Sequence, residues 1–260
     1  MLGLVLLAFI SLQAVPILSF HSYFSPSSHG QLRTSEATLL RGVKTYVAKD
    51  SPIDRALIII ASALLKRIAP NTRNSTDVNL KTSYNDFVSI TKNFLSLPPL
   101  EIKLLILGFL RSLVPTQVGD FFRSKYSSDA KTICEQSSQW MGFGLLTWLV
   151  GPTERILIDV TNKDGNSEQW LSGVKIKECR YLSESGCKAA CLHICKDPTQ
   201  TFFTQDMGLP LHMKPNFTDN SCEMLFGVMA PPKELDDAYS QACFVDCNIQ
   251  QKKTALNKCS

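Results

Sequence analysis

The chain has 260 residues, of which 44% are hydrophobic and 19% charged, with a net charge of +4. This is too apolar for a disordered chain, and 13 Gly and 13 Pro are too few for a fibrous one. No run of Lys and Arg is longer than a pair, which argues against nucleic acid as a partner.

Met1 to Leu32 carries no charged side chain, and Leu2 to Ile10 is an almost unbroken apolar run. Its length suits the apolar centre of a signal peptide, because a membrane span needs about 18 or more such residues. A basic start is lacking. From Phe20 the chain turns Ser-rich and free of acids up to Ser35, the composition of a transit peptide. A signal-like segment over 1–19 and a transit-peptide-like segment over 20–49 resemble the two-part plastid leader of algae with complex plastids. That implies a plastid protein; secretion is the alternative. The sequons at Asn74 and Asn216 decide nothing.

Four helices are predicted next. Ile53, Leu57, Ile60, Ala61, Leu64, Leu65 and Ile68 share one helical face between Ser51-Pro52 and Pro70. Tyr84 to Leu97 reads as a second helix. Ile102, Leu105, Ile106, Phe109, Leu110 and Leu113 form the face of a third, between Pro98-Pro99 and Pro115. A fourth runs from about Ser128 to Val150 and is apolar nearly all round at Trp140 to Leu149. Such a helix is ordinarily central to a core; a greasy surface for a lipid-like ligand is the other reading.

Ile156, Ile158 and Val160 alternate, Asn162 to Asn166 is turn chemistry, and Val174 and Ile176 alternate on the way back. A β-hairpin results, with its second strand leading into Cys179. The fold class is therefore α+β: a mostly helical body, one β-hairpin and a C-terminal Cys-rich metal-binding region, in one domain over 50–250 with a tail at 251–260.

Of nine cysteines, eight fall at Cys179, Cys187, Cys191, Cys195, Cys222, Cys243, Cys247 and Cys259. Such clustering marks a local site and not a disulfide framework spread through the chain. On a straight helix Cys187, Cys191 and Cys195 form one stripe, but its ends are about 12 Å apart. One ion with thiolates at about 2.3 Å cannot hold both ends. Either two of the three share a centre, or the helix breaks, or a larger iron–sulfur cluster recruits Cys222, Cys243 or Cys247. Thiolates in this number point to a soft metal without naming it, with disulfides and buried thiols as the alternatives. His193 points away from the Cys stripe, and His212 falls in a loop between Pro210 and Pro215. Cys134 belongs to the helical body as a core thiol. Glu223 and Asp219 are read as solvated. With no phosphate loop, nucleophile elbow or zincin pair, no acid or base is assigned as catalytic.

The pieces CRYL, SGC-x3-C-x3-CK-x-PTQ-x-FF, GLPL-x-M-x-PNF-x-D and SCEM-x-FG, with LPPLEIK and LTWLVGP upstream, carry a resemblance. Together they resemble the plastid β-carotene isomerase family of the strigolactone pathway over roughly residues 51 to 247. The resemblance implies an iron-dependent enzyme that interconverts all-trans and 9-cis β-carotene. The iron is mononuclear or a cluster, and Cys179, Cys187, Cys191, Cys195 and Cys222 match the family's cysteines. Cys187, Cys191, Cys195 and Cys222 are the expected essential set, with Cys179 and Cys243 next in line. A carotenoid substrate implies peripheral contact with a plastid membrane. The competing readings are a non-catalytic carotenoid- or iron-binding plastid protein and a secreted disulfide protein.

Overall fold

The computed structural model describes residues 50–69, 81–142, 146–161 and 165–244. The leader-like residues 1–49, the Asn74 sequon, Phe143, Leu145, Asn162 to Asp164, Cys247, Cys259 and the tail lie outside them.

Helix α1 (Pro52–Ile68) begins at a reciprocal cap: Ser51 accepts from the Asp54 amide, and Asp54 accepts from the Ser51 amide. Its buried stripe is Ile58, Ser62, Leu65 and Ala69, while Ile53 is 73% exposed. The expected face is thus rotated, because PIDRALIIIASALLKRI is apolar on more than one side. Helix α2 (Tyr84–Asn93) repeats the cap with Ser83 and Asp86 and tightens into a 3₁₀ turn at Phe94–Ser96. Helix α3 (Pro99–Leu113) buries Ile102, Ile106 and Leu107 and leaves Leu100 and Leu104 exposed. A helix absent from the sequence reading follows, α4 (Thr116–Ser128).

Within the expected fourth helix, α5 (Ala130–Trp140) is capped by Asp129 and passes into π form at Met141 and Gly142, and the short α6 (Thr147–Val150) falls at its end. Gly151, at φ 87°, ends α6 and turns the chain into the sheet.

Strands β1 (Thr153–Thr161) and β2 (Ser167–Ile176) form the expected antiparallel hairpin, with a bulge between Ile156 and Ile158. Two further strands, β3 (Leu211–Pro215) and β4 (Cys222–Phe226), complete a sheet of order β1-β2-β4-β3. His212 therefore lies on a strand and not in a loop. Directly opposite residues of antiparallel strands share a face, so Ile176, Cys222 and Pro215 form one buried row. Val174, Met224 and Met213 form the next. The opposite face carries Lys175, Glu223, His212 and Lys214, the alternation expected of a sheet with one wet side.

Helix α5 is fastened to β2. Glu135 accepts from the Leu171 amide, and Ser138 and Arg155 both donate to the Leu171 carbonyl. After β2 the chain enters α7 (Arg180–Ser185) with Cys179 as its N-terminal flanking residue, so Cys179 starts a helix and does not end the strand. Gly186, at φ 53°, closes α7 in the left-handed conformation.

The following helical run is not a regular α-helix. Ala190–Lys196 is π-helical, α8 (Asp197–Thr201) is regular, and Phe202–Asp206 is π-helical again. The run is tied to the C-terminal segment, which includes α9 (Asp237–Ser240), at three points. Lys188 donates to the Tyr239 carbonyl, Lys196 pairs with Asp236, and Asp197 pairs with Lys233.

Candidate functional site

A partly open, almost wholly apolar cavity of about 60 Å³ lies between the buried face of the sheet and the π-helical run. Ile176, Met213, Pro215, Cys222 and Met224 form its floor, from the two buried rows of β2, β3 and β4. Cys179, Tyr181 and Leu182 enter from α7, and Leu146, Leu149 and Val150 from the α6 region. The opposite wall is Cys191, Cys195, Lys196 and Thr199.

Four of the six sequence-predicted cysteines thus meet in one cavity: Cys179, Cys191, Cys195 and Cys222. The π turn accounts for the choice within the run. Bonding of residue i to i+5 widens the helix and changes side-chain directions relative to a straight α-stripe. Cys191 and Cys195 lie within the turn, whereas Cys187 precedes it, is buried and does not line the cavity. Cys243 is partly exposed on the C-terminal segment and also stands outside the lining. Cys134 contributes to a separate region, near Gly227 and Trp170, as the core reading expects.

Cys134, Cys179, Cys191, Cys195 and Cys222 are free thiols. Burial pushes Cys179 up to about 11 and Cys195 to about 12, and drives Cys191 and Cys222 well above the ordinary thiol value. The neighbouring thiols add to the rise for Cys191, Cys195 and Cys222, and the Lys196 charge opposes it at all three. Without a cation among them these sulfurs are protonated and neutral at neutral pH.

As placed, no three His, Cys, Asp or Glu side chains among the described residues converge on a common ion position. The donor set itself suits a soft metal: four thiols on an apolar wall, three of them buried and Cys195 half-buried. Binding releases protons from such thiols, so metal and deprotonation arrive together. The small cavity has room for an ion or a compact group of atoms. It falls far below the roughly 300–1,000 Å³ of pockets that enclose drug-sized ligands.

Lys196 is the site residue that sequence reasoning missed. Its side chain is fully buried. The ammonium donates to Gln200 Oε1 at 3.0 Å and to the Met213 carbonyl, and pairs with Asp236 Oδ2 at 2.7 Å. The available signal was its place in CK-x-PTQ, directly after Cys195.

Neither singled-out histidine lines the cavity. His193 is buried, and both its ring nitrogens lack a hydrogen-bond partner among the described residues. His212 Nε2 lies 4.0 Å from Asp236 Oδ2. Glu223 pairs with Lys175 on the wet side of the sheet, in keeping with a solvated role.

The antiparallel sheet, the π-helical run and the cysteines they gather occupy the part of the chain that matches a described domain. Residues 148–235 match the family model for the C-terminal domain of beta-carotene isomerase D27-like proteins. The chain is thus similar to D27-like proteins over that stretch. It is 29% identical over 230 residues to a protein named beta-carotene isomerase D27, chloroplastic, of Arabidopsis thaliana, covering 85% of this chain and 81% of that protein. With the protein of the same name from Medicago truncatula it shares 38% identity over 112 residues, covering 43% of this chain and 42% of the other. No solved structure matches the chain.

Proposed function

We propose that this protein is a plastid carotenoid cis/trans isomerase that depends on iron and converts all-trans β-carotene to its 9-cis form. The family relationship, with two relatives named as chloroplastic β-carotene isomerases, supports the reaction class and the compartment. The gathering of four thiols, three of them buried, in one apolar cavity carries the iron reading.

Rotation about a conjugated double bond needs its bond order to fall transiently. When bound, an iron centre supplies an electron exchange with the polyene that leaves no net redox change. Cys179, Cys191, Cys195 and Cys222 would hold the iron, and the apolar wall excludes water that would otherwise quench a transient charge. Met213, Met224 and Ile176 make that wall dry. A forty-carbon polyene is too large to be enclosed by a cavity of about 60 Å³, so the substrate lies across the opening.

The substrate dissolves in membranes, and the protein works at a bilayer surface. Among the described residues no single helix is long and apolar enough to cross one; α3 and α4 pass that test only together and are bent by 90°. Leu100 and Leu104, 66% and 58% exposed and one turn apart on α3, supply a docking stripe.

The test is protein purified without oxygen, assayed for iron and sulfide, and given all-trans β-carotene in detergent micelles. The same equilibrium mixture is expected from either isomer. Unchanged carotenoid geometry with iron still bound favours a non-catalytic carotenoid- or iron-binding protein instead.

A further inference from the structure

Helix α1 carries its larger apolar side chains on the side that the fold does not bury. Its buried stripe, Ile58, Ser62, Leu65 and Ala69, includes two small residues, and the Ser62 hydroxyl has no hydrogen-bond partner among the described residues. Ile60 stands two positions from both Ile58 and Ser62, so it faces the other way. Ile53, Leu57, Ile60 and Leu64 recur at three- and four-residue steps and form one continuous face. Ile53 is 73% exposed and Ile60 39%, while Leu57 and Leu64 are half-buried. An ordinary surface helix turns its polar side outward. Here that order is reversed.

The charges on α1 decide which partner suits the face. Arg67 follows Leu64 by three positions and is exposed at the end of the face. Arg55 is exposed beside its start, and Lys66 adds a third cation. The helix has one acid, Asp54, whose carboxylate accepts from the Ser51 amide at the cap. An apolar strip with cationic ends fits a bilayer with anionic headgroups. The strip sinks among the acyl chains, and the guanidiniums stay at headgroup level. A second copy of the chain fits less well. The strip is roughly 26 Å long and 10 Å wide, whereas a stable dimer takes about 800 Å² from each partner.

We propose that the outer face of α1, Ile53, Leu57, Ile60 and Leu64 with Arg55 and Arg67, docks on an anionic lipid bilayer. The choice of a bilayer rests on the membrane-dissolved substrate proposed above and deepens that reading. Helix α1 packs against both α3 and α6. Helix α3 carries the exposed Leu100 and Leu104, and Leu149 and Val150 of α6 line the cavity. A bilayer under α1 therefore lies one helix away from the cavity.

The experiment incubates the full chain with phosphatidylcholine vesicles, with or without phosphatidylglycerol, that contain a phospholipid bearing a photoreactive diazirine in its acyl chain. Labelled residues are read by mass spectrometry, which separates α1 from every other segment that touches lipid. Label is expected on Leu57, Ile60 and Leu64, about tenfold or more above neutral vesicles when phosphatidylglycerol is present. Arg55→Gln/Arg67→Gln removes most of that gain. Ile53→Glu/Ile60→Glu, at exposed positions, removes the label from α1 and keeps the native urea midpoint. Label confined to residues outside α1, or equal on both kinds of vesicle, overturns the proposal. So does a native dimer in light scattering that Ile53→Glu/Ile60→Glu dissociates, since the face then belongs to a second copy. Isomerisation in detergent micelles is scored apart: its absence overturns the isomerase reading, and a labelled α1 keeps the docking face standing.

Discussion

The Arg180 guanidinium lies 3.6 Å from the centre of the Tyr84 ring and holds the Asp50 carboxylate with two nitrogens. The Tyr84 hydroxyl in turn donates to the Leu149 carbonyl, on a residue of the cavity wall. One residue after Cys179, the chain is thus clamped to α2 and to the α6 region by a planar cation that both stacks and forks.

Arg180→Lys keeps the charge but loses the stacking and the bidentate geometry. A loss of about 1–3 kcal/mol is expected, read from the urea midpoint. An unchanged midpoint would show that the clamp contributes nothing.

The cavity separates the cysteines into two groups. Cys191→Ser and Cys222→Ser are expected to lose iron, because a hydroxyl is a harder and far less acidic donor than a thiol. Cys134→Ser and Cys243→Ser should retain it, since neither lines the cavity. Iron content measured on folded protein decides; equal loss in all four would indicate general unfolding.

Gly119 on α4 sits where a Cβ would come within 2.5 Å of the Asp206 carbonyl oxygen. The same carbonyl accepts from Arg123, and the Asp206 carboxylate is forked by Arg111 at 2.8 and 3.1 Å. The end of the second π turn cannot yield without breaking these bonds. Gly119→Ala should cost about 1–3 kcal/mol despite the better helix propensity of alanine, checked by thermal or urea unfolding.

His212 is held below its ordinary value of 6.5, first by burial and then by Lys196 and Lys214, with Asp236 and Asp237 opposing. The unfolded chain therefore binds a proton more readily than the folded one. Stability from this group is complete above 6.5 and is lost as pH falls from there through the depressed folded value. The slope of unfolding free energy against pH below 6.5 should flatten in His212→Gln. A slope identical to that of the native protein would assign the acid sensitivity elsewhere.

Much of the helical body was legible because its boundaries are written in prolines and caps: Ser51-Pro52, Pro98-Pro99, and the hairpin's alternation. Helix α4 was not. TQVGDFFRSKYSS has too few apolar residues to show a stripe, and it is held by packing and by Arg123. Strands β3 and β4 are five residues each, too short for periodicity to outweigh the prolines around them, although LHMKP and CEMLF do alternate in burial. Six cysteines were named, from their clustering together with the family resemblance, and four share the cavity. The choice depends on the π turn, whose extra residue leaves no signature in composition. Lys196 went unweighed because a lysine beside a cysteine reads as a surface charge until the partner, Asp236, is brought in from forty residues away.

Strand β4 is the last of the four in chain order, yet it lies between β2 and β3. While the polypeptide is being synthesised, the hairpin emerges with the inner rim of β2 bare, and nothing can close it until residues 222–226 follow. Cys179, Cys191 and Cys195 come out before that closure and meet Cys222 only with it. The nascent protein thus passes through a stage that combines an adhesive rim with unsheltered thiols, the state in which chains stick to one another and oxidise. Yield in the cell should depend more on what shields that stage than on the stability of the finished fold.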